Sequence, residues 1–454
     1  MTIVAQGNGF AHNAATCVFP KNGGRAWTMR IAFVVMICLM NIPALAVDWR
    51  EVEVRYETRR AELEAQGPPE YYVIPFDAGL ALFDSRPELG IGMHQVDQEG
   101  IDILKETHVR FVRFTLYWNL IETTEEPGVY DETALQSMDE TVKLFEANNI
   151  IPVVVVHGNP PGVSFSTRHE SYERFARFMA FAAERWPYVR YWELWNEMDV
   201  AFTDLFGAGV EPEVPMIERG RNYAQMLRLA YPAIREANPK AIVVTGGMDN
   251  YTEFPRGIYE AGGRPYFDIM NMHTYGIPSQ WSFVQRGAAM RDLMAEFGDG
   301  RKPLWNTEFG VDAGSMVQAW GIPDADPPAF WDAKQKEMLS ECIQFALASG
   351  LYQKFFAYQF HAGNEIENER IAEADVVFPK EHTVHDYGFG FMREDQRTPR
   401  PIWEWIVAEG VNDPERLGSP RTLGLSVTAG DTERAMEVFV HSDFPTLVGI
   451  QSHR

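Results

Sequence analysis

From about residue 71 onward, short apolar runs alternate with longer amphipathic stretches. The apolar runs are Leu89–His94, Phe111–Tyr117, Ile151–Val156, Val189–Trp195, Ala241–Thr245, Phe267–His273, Pro303–Thr307 and Phe355–Phe360. Their length and their β-branched and aromatic content predict strands buried on both faces. Between them, Gln98–Thr107, Ala134–Ala147, Ser171–Arg185, Arg221–Glu236, Val284–Phe297 and Ala333–Ala348 carry helical periodicity, as does Pro401–Ala408 after the last run. Strand–helix alternation predicts a parallel sheet of the α/β class. Eight strands predict closure into a (β/α)8 TIM barrel, placed at residues 71–412. Beyond it, Arg421–Val427 and Ala435–Val440 flank the turn Ala429-Gly430-Asp431. They predict a hairpin in a small C-terminal β module, residues 413–454, because a lone hairpin is only marginally stable.

The N-terminal part reads differently. Met29-Arg30 precedes the apolar run Ile31–Met40, and Ala44-Leu45-Ala46 follows. A charged start, an apolar stretch and an Ala-x-Ala site form the pattern of a secretory signal. The run falls short of the roughly 20 residues of a membrane span, so a membrane role is expected only if the segment stays uncleaved. Nothing before Met29 fits a signal, which makes Met29 the expected start. Residues 1–46 are therefore read as an extension plus signal, and 47–70 as a charged helical lead-in ending at Gly67-Pro68-Pro69. Cleavage would remove Cys17 and Cys38 and leave Cys342, so no internal disulfide is expected in the mature chain.

Composition narrows the function. A 46% hydrophobic and 13% aromatic chain can fill a large core. A net charge of −24 argues against nucleic acid as a partner, since phosphate binding needs a basic footprint. Sequential Cys/His/acid spacing of a metal site is not seen, and no Gly-rich loop precedes a helix in a phosphate-cradling pattern; Gly246-Gly247 reads only as a turn. Neither a cofactor nor a metal is expected.

The candidate chemistry lies where strands run out. Barrel enzymes take their catalytic groups from the C-terminal ends of several strands. Trp-Glu-Leu-Trp-Asn-Glu at 192–197 and Leu-Trp-Asn-Thr-Glu-Phe-Gly at 304–310 each place a glutamate at such an end. Glu197 and Glu308 are separated by room for about three βα units of roughly 30 residues or more each. Two carboxylates at one barrel mouth are what glycoside hydrolysis with retention requires. The other strand ends carry Arg113 through Trp118, His157-Gly158-Asn159, His273-Thr274-Tyr275, and Tyr358-Gln359-Phe360-His361. Polar or aromatic groups at nearly every strand end are more than chance offers.

These residues resemble the clan of retaining (β/α)8 glycoside hydrolases. Asn196-Glu197, Glu308, Arg113 with Trp118 and Glu122, His273-Thr274-Tyr275, and Tyr387–Phe391 followed by Arg400-Pro401 and Trp403 match its pattern over about 90–405. Among families the chain looks nearest to family thirty-nine, the β-xylosidase, α-L-iduronidase and exopolysaccharide-hydrolase type, with the endoglucanase/mannanase family a close second. The resemblance implies that Glu197 is the acid/base and Glu308 the nucleophile. It implies that Arg113 and Tyr275 hydrogen-bond Glu308 and that Asn196 meets the sugar 2-hydroxyl. His157 and His273 would line the cleavage subsite, and Trp118, Trp195 and Trp305 would be stacking candidates. Two departures stand out: Met198-Asp199 replaces the usual proline after the acid/base, and Tyr358-Gln359-Phe360-His361 replaces a tryptophan platform. The Pro- and Gly-rich insertions Asp199–Pro215 and Ala313–Phe330 are expected to wall the cleft. Two other readings use the same residues: a non-catalytic carbohydrate-binding barrel, and a transglycosylase with a sugar acceptor in place of water.

Overall fold

A computed structural model describes Val54, Thr58 and residues 87–200, 204–210, 212–275, 279–311, 329–361, 388–393, 397–413, 424–429 and 436–441. Eight strands form one sheet: β1 (Glu88–Gly92), β2 (Phe111–Tyr117), β3 (Ile151–His157), β4 (Tyr191–Asn196), β5 (Ile242–Gly247), β6 (Met270–Thr274), β7 (Leu304–Phe309) and β8 (Lys354–Ala357). The order β5-β4-β3-β2-β1-β8-β7-β6 is parallel throughout. The remaining gap is bridged where Thr245 N–H donates to Ile269 O at 3.0 Å and Ile269 N–H to Val243 O at 3.1 Å. The barrel is thereby closed, as the strand–helix alternation predicts.

The helices are α1 (Gln98–Lys105), α2 (Trp118–Ile121), α3 (Glu132–Ala147), α4 (Arg168–Arg185), α5 (Met216–Ala237), α6 (Glu253–Glu260), α7 (Ser279–Glu296), α8 (Ala329–Ser349) and α9 (Pro401–Glu409). Local chemistry sets their ends. Asp97 caps α1 by accepting Gly100 N–H at 2.7 Å, and Asp131 caps α3 by accepting Ala134 N–H at 2.8 Å. α9 opens on Pro401 and closes on Gly410 at φ 55°. The sequence pattern omits α6, whose eight residues include Pro255 and Gly257 and so interrupt a helical signature. Gly257 exists there for close packing: a Cβ on it would lie 2.1 Å from Ile217 O at the start of α5.

Side chains fill the barrel in layers. One layer consists of Phe111, Val153, Ile242, Val244, Ile269, Trp305 and Phe356, with Ile151 and Tyr191 at its edge. Burying each such side chain contributes about 1.5–3 kcal/mol. Trp305 meets Phe111, Tyr191 and Phe356 in this layer, so it is a core residue and not a stacking platform.

Outside the barrel, β9 (Gly424–Ala429) and β10 (Met436–His441) pair antiparallel as a hairpin, in the place predicted for the C-terminal module. Val54 and Thr58 are helical; the rest of the predicted lead-in, the signal segment and most of the insertion at 313–330 lie outside the described residues. The first insertion does not simply wall a cleft. Leu205, Phe206 and Ala208 are buried, and Phe206 packs on Tyr172, Trp195 and Tyr223 in the α4–α5 layer. No helix among the described residues is long and apolar enough to cross a membrane.

Candidate active site

The end of β4 breaks the strand rule. In a regular strand, residues alternate between faces. Arg113, inside the barrel, nevertheless bonds both Glu193 and Asn196, which are an odd number of residues apart. The break lies at Trp195, whose φ is 77°, a conformation that strains a bulky side chain. This turn sends the Trp195 ring outward against Phe175, Phe206 and Trp118. Asn196 and Glu197, the latter at φ 44°, then come out at the barrel mouth. The Glu197 N–H donates to Gly247 O at 2.8 Å, which fixes the loop to β5.

β7 reaches the mouth by a second irregularity. Met272 of β6 faces Asn306, but His273 faces Glu308, so Thr307 is an extra residue in the ladder. A bulge of this kind re-aims the following side chain. Thr307 stays inside the barrel, and Glu308 turns toward Arg113 and Tyr275.

Arg113 ties the two strand ends together. Its Nε and Nη2 donate to Glu193 Oε2 and Oε1, both at 2.9 Å, its Nη2 also to Asn196 Oδ1 at 2.7 Å, and its Nη1 to Glu308 Oε1. Tyr275 Oη donates to Glu308 Oε2 at 2.5 Å. Burial pushes the Glu308 carboxyl up, but His273, Arg113 and the Tyr275 hydroxyl outweigh it and bring it down to about 2. Glu308 is therefore ionised at any ordinary pH, as a nucleophile must be. Burial and, after it, the Glu308 charge push the Tyr275 phenol up, which keeps it a donor.

His273 is fully buried beneath both glutamates. Its Nδ1 lies 2.9 Å from Glu197 Oε1 and 3.6 Å from Glu308 Oε2, and its Nε2 lies 3.1 Å from Thr307 Oγ1. Burial disfavours the imidazolium, but Glu308 and Glu197 overcome that and hold its pKa above the ordinary value. It acts on the carboxylates and does not line a subsite, which corrects the sequence expectation. Gly247 makes room for it. A Cβ there would lie 1.8 Å from His273 Nε2, so Gly247 marks a close approach and not the turn its sequence implies.

Glu197, His273 and Glu308 each place one potential ligand atom within 4.8 Å of the others, a cluster that linear spacing does not reveal. Its bonds fit an ion-pair network better than a metal site. Both Glu308 oxygens accept from Arg113 and Tyr275, and His273 favours its protonated form, whereas a ligating histidine must be neutral.

The remaining expected residues divide. His157, at the end of β3, is half-buried against Tyr117, and burial lowers its pKa to about 3, so it is a neutral hydrogen-bonding group. Trp118 is corrected: it is wholly buried, stacks on Phe178, and donates its indole N–H to Glu122 Oε2 at 2.6 Å. Glu122 in turn holds Arg174 Nε at 3.1 Å, so both belong to the helix layer. Where a tryptophan platform is missing, Tyr358 stands half-buried among His94, Tyr275 and Phe389, with its hydroxyl 3.2 Å from His94 Nε2. His94 and Glu193 are site residues that sequence reasoning passed over. The signal for Glu193 was available: a glutamate inside an otherwise apolar strand needs a buried cation.

Two predictions follow from the geometry. Gly247→Ala must displace His273, so kcat is expected to fall about tenfold or more, because a shift near 1 Å at a reacting centre is that costly. Unchanged kcat in a folded variant would contradict the close approach. Secondly, Glu308 falls from an ordinary 4.5 to about 2 on folding, so the folded state binds fewer protons. Its contribution to stability is complete above pH 4.5 and is lost as pH drops through that window toward 2. Urea unfolding of Glu308→Gln across those pH values is expected to show a shallower loss than the parent.

The sequence matches the family model described as cellulase, glycosyl hydrolase family 5, over residues 79–343. A family 39 glycoside hydrolase from Bacteroides cellulosilyticus WH2 has a similar structure, with TM-score 0.52 and 16% identity, covering 78% of this chain and 68% of that one. A glucosidase from Croceicoccus marinus gives TM-score 0.50 and 14% identity, covering 78% and 74%. At such identities the likeness is one of fold. No curated protein matches the sequence. The retaining (β/α)8 clan that the strand-end residues resemble is thus the one to which the matched family and the fold point. The chain belongs to the cellulase family, glycosyl hydrolase family 5, and is a retaining O-glycosyl hydrolase with a carbohydrate substrate.

Proposed function

We propose that Glu308 is the nucleophile and Glu197 the acid/base in a double displacement at an O-glycosidic bond of an oligo- or polysaccharide. In the first step Glu308 attacks the anomeric carbon, the glycosidic C–O bond breaks, and Glu197 gives its proton to the leaving oxygen. In the second, water attacks the same carbon, the bond to Glu308 breaks, and Glu197 takes the proton from water. The observation that carries this reading is the pair of carboxylates. One oxygen of Glu197 and one of Glu308 lie within 4.8 Å, in line with the roughly 5–5.5 Å between carboxyls of retaining enzymes and short of the wider inverting gap.

The supporting groups fit those roles. Arg113 and Tyr275 hold Glu308 ionised and aimed. Arg113 fixes Asn196 by its carbonyl oxygen, which leaves the Asn196 amide as the donor for a sugar 2-hydroxyl. His157, neutral at the rim, supplies hydrogen bonds without charge. We also infer export, on the strength of Arg30, the apolar run Ile31–Met40 and Ala44-Leu45-Ala46; the secreted chain is expected to begin at Val47 on N-terminal sequencing.

Sugar release tests the assignment. The chain from Val47 is expected to release sugar from one or more members of a panel of aryl β-xylosides, glucosides, mannosides and galactosides with soluble polysaccharides. Glu308→Ala is expected to abolish turnover, and azide to rescue it as the glycosyl azide of inverted configuration. Substantial turnover by Glu308→Ala without azide would remove Glu308 from the nucleophile's role. With sugar acceptors at high concentration, longer products in place of free sugar would mark a transglycosylase.

A further inference from the structure

One buried charge in the site has no part in the displacement itself. Glu193 is wholly buried, so it cannot meet substrate. Its oxygens are nonetheless fully engaged. Oε2 accepts Arg113 Nε–H; Oε1 accepts Arg113 Nη2–H at 2.9 Å, Gly247 N–H at 3.2 Å and the Thr307 hydroxyl at 3.2 Å. It thus contacts the arginine that holds Glu308, the strand that pins Glu197, and the bulge residue that precedes Glu308.

The Thr307 hydroxyl extends this reach. It has one proton and gives it to Glu193. Toward His273 Nε2, 3.1 Å away, the same oxygen can then only accept. His273 must therefore carry a proton on Nε2, and the second proton of its imidazolium, on Nδ1, faces the two glutamates. Resting on the assignment of Glu197 and Glu308 above, we propose that Glu193 is a positioning residue with two arms: through Arg113 it aims Glu308, and through Thr307 it keeps one proton of the His273 imidazolium on Nε2, so that the other, on Nδ1, serves both catalytic carboxylates. This matters because the negative charge moves. It sits on Glu308 before the first step and on Glu197 after it, while Nδ1 stays within reach of both.

The charged groups around this network define the sign of the effect. Glu193 faces Arg113 on β2, His273 on β6 at 3.9 Å and the Tyr223 phenol on α5. His273 faces Glu193 and Glu197 on or after β4, Glu308 on β7, and Arg113. Removing the Glu193 charge, 3.9 Å from His273 Nε2, lowers the proton affinity of His273, so the basic limb of the pH–rate profile moves to lower pH.

Glu193→Gln is the direct test. An amide cannot replace both oxygens, because its NH2 must face a donor of Arg113, Gly247 or Thr307. The variant is expected to lose roughly 10- to 100-fold in kcat, as partners behind a reacting group commonly do, with KM within about threefold of the parent. Its basic limb is expected to fall by about 0.5 pH unit or more, a shift that mere loss of packing does not produce. Thr307→Val breaks only the second arm. It is expected to move the same limb in the same direction, and the two changes combined are expected to be less than additive. Histidine 15N spectra of the unliganded chain give a reading independent of turnover. In the parent, His273 is expected to lose its first proton from Nδ1, keeping the one on Nε2, and to titrate higher than in Glu193→Gln.

Parent-like kcat and parent-like basic limb in folded Glu193→Gln would overturn the proposal. Should that variant fail to fold, an unchanged limb and unchanged His273 spectrum in Thr307→Val would do so. If the parent releases no sugar, the hydrolytic assignment fails by itself, and the 15N titration still decides whether Glu193 governs His273.

Discussion

The site depends on one guanidinium placed between two buried carboxylates. Arg113 meets Glu193 with two donors and Glu308 with a third. Burial alone opposes every charge in this trio, and an unpaired member would be expelled or neutralised. The two anions together hold the guanidinium charged against that burial. In return, Arg113 helps bring Glu308 to about 2 when burial alone would raise it. Buried Glu308 thus stays ionised because its counter-ion is itself held by a second anion.

Fixing those charges required the barrel to give up regularity at two strand ends. An ideal β4 would place Trp195 on the face of Glu193, and an ideal β7 would send Thr307 and Glu308 to opposite faces. The positive φ at Trp195 and the extra residue at Thr307 break both rules, and each break lies beside a glutamate. Backbone strain of this kind persists only where packing over-determines it. Here the packing is visible: the Trp195 ring is held by Phe175, Phe206 and Trp118, and Trp118 by Glu122 and Phe178. Trp118 and Trp195, two of the sugar-platform candidates in the sequence, are instead part of the packing beside Glu197.

The legible part of the molecule was the part written in period and spacing. Strand β2 has the residues its apolar run predicts, and the other seven differ by a few residues at their ends. Glu197, Glu308, Arg113, Asn196 and Tyr275 come together because strand ends converge on one mouth, which chain order implies once a barrel is assumed. What stayed hidden depends on direction and depth. Period cannot say that Trp118 faces the helix layer or that His273 lies under the carboxylates. Gly247 reads as a turn because a missing Cβ looks the same whether it frees the backbone or makes space. Glu193 was passed over since it sits within an apolar run, where its partner is far away in sequence.

The two departures from the clan pattern have different physical weight. Asp199, in the loop after Glu197, is buried; its carboxylate accepts the Asn250 N–H, and its backbone carbonyl is held by Arg219 Nη1 at 2.8 Å. Burial raises this carboxyl to about 6, against the pull of the Asn250 N–H and its own backbone N–H. It joins the β4 and β5 loops. The exchange of a tryptophan for Tyr358 changes more. A phenol is smaller than an indole and brings a hydroxyl, here shared with His94. The wall at the β8 end therefore offers a polar edge where the clan offers a flat apolar face. Glu193, Arg113 and Thr307 fix the reacting carboxylates from below, out of substrate's reach. Tyr358, His94 and His157 lie apart from those contacts at the ends of β8, β1 and β3, and under the proposed function they are where the choice of sugar is expected to be set.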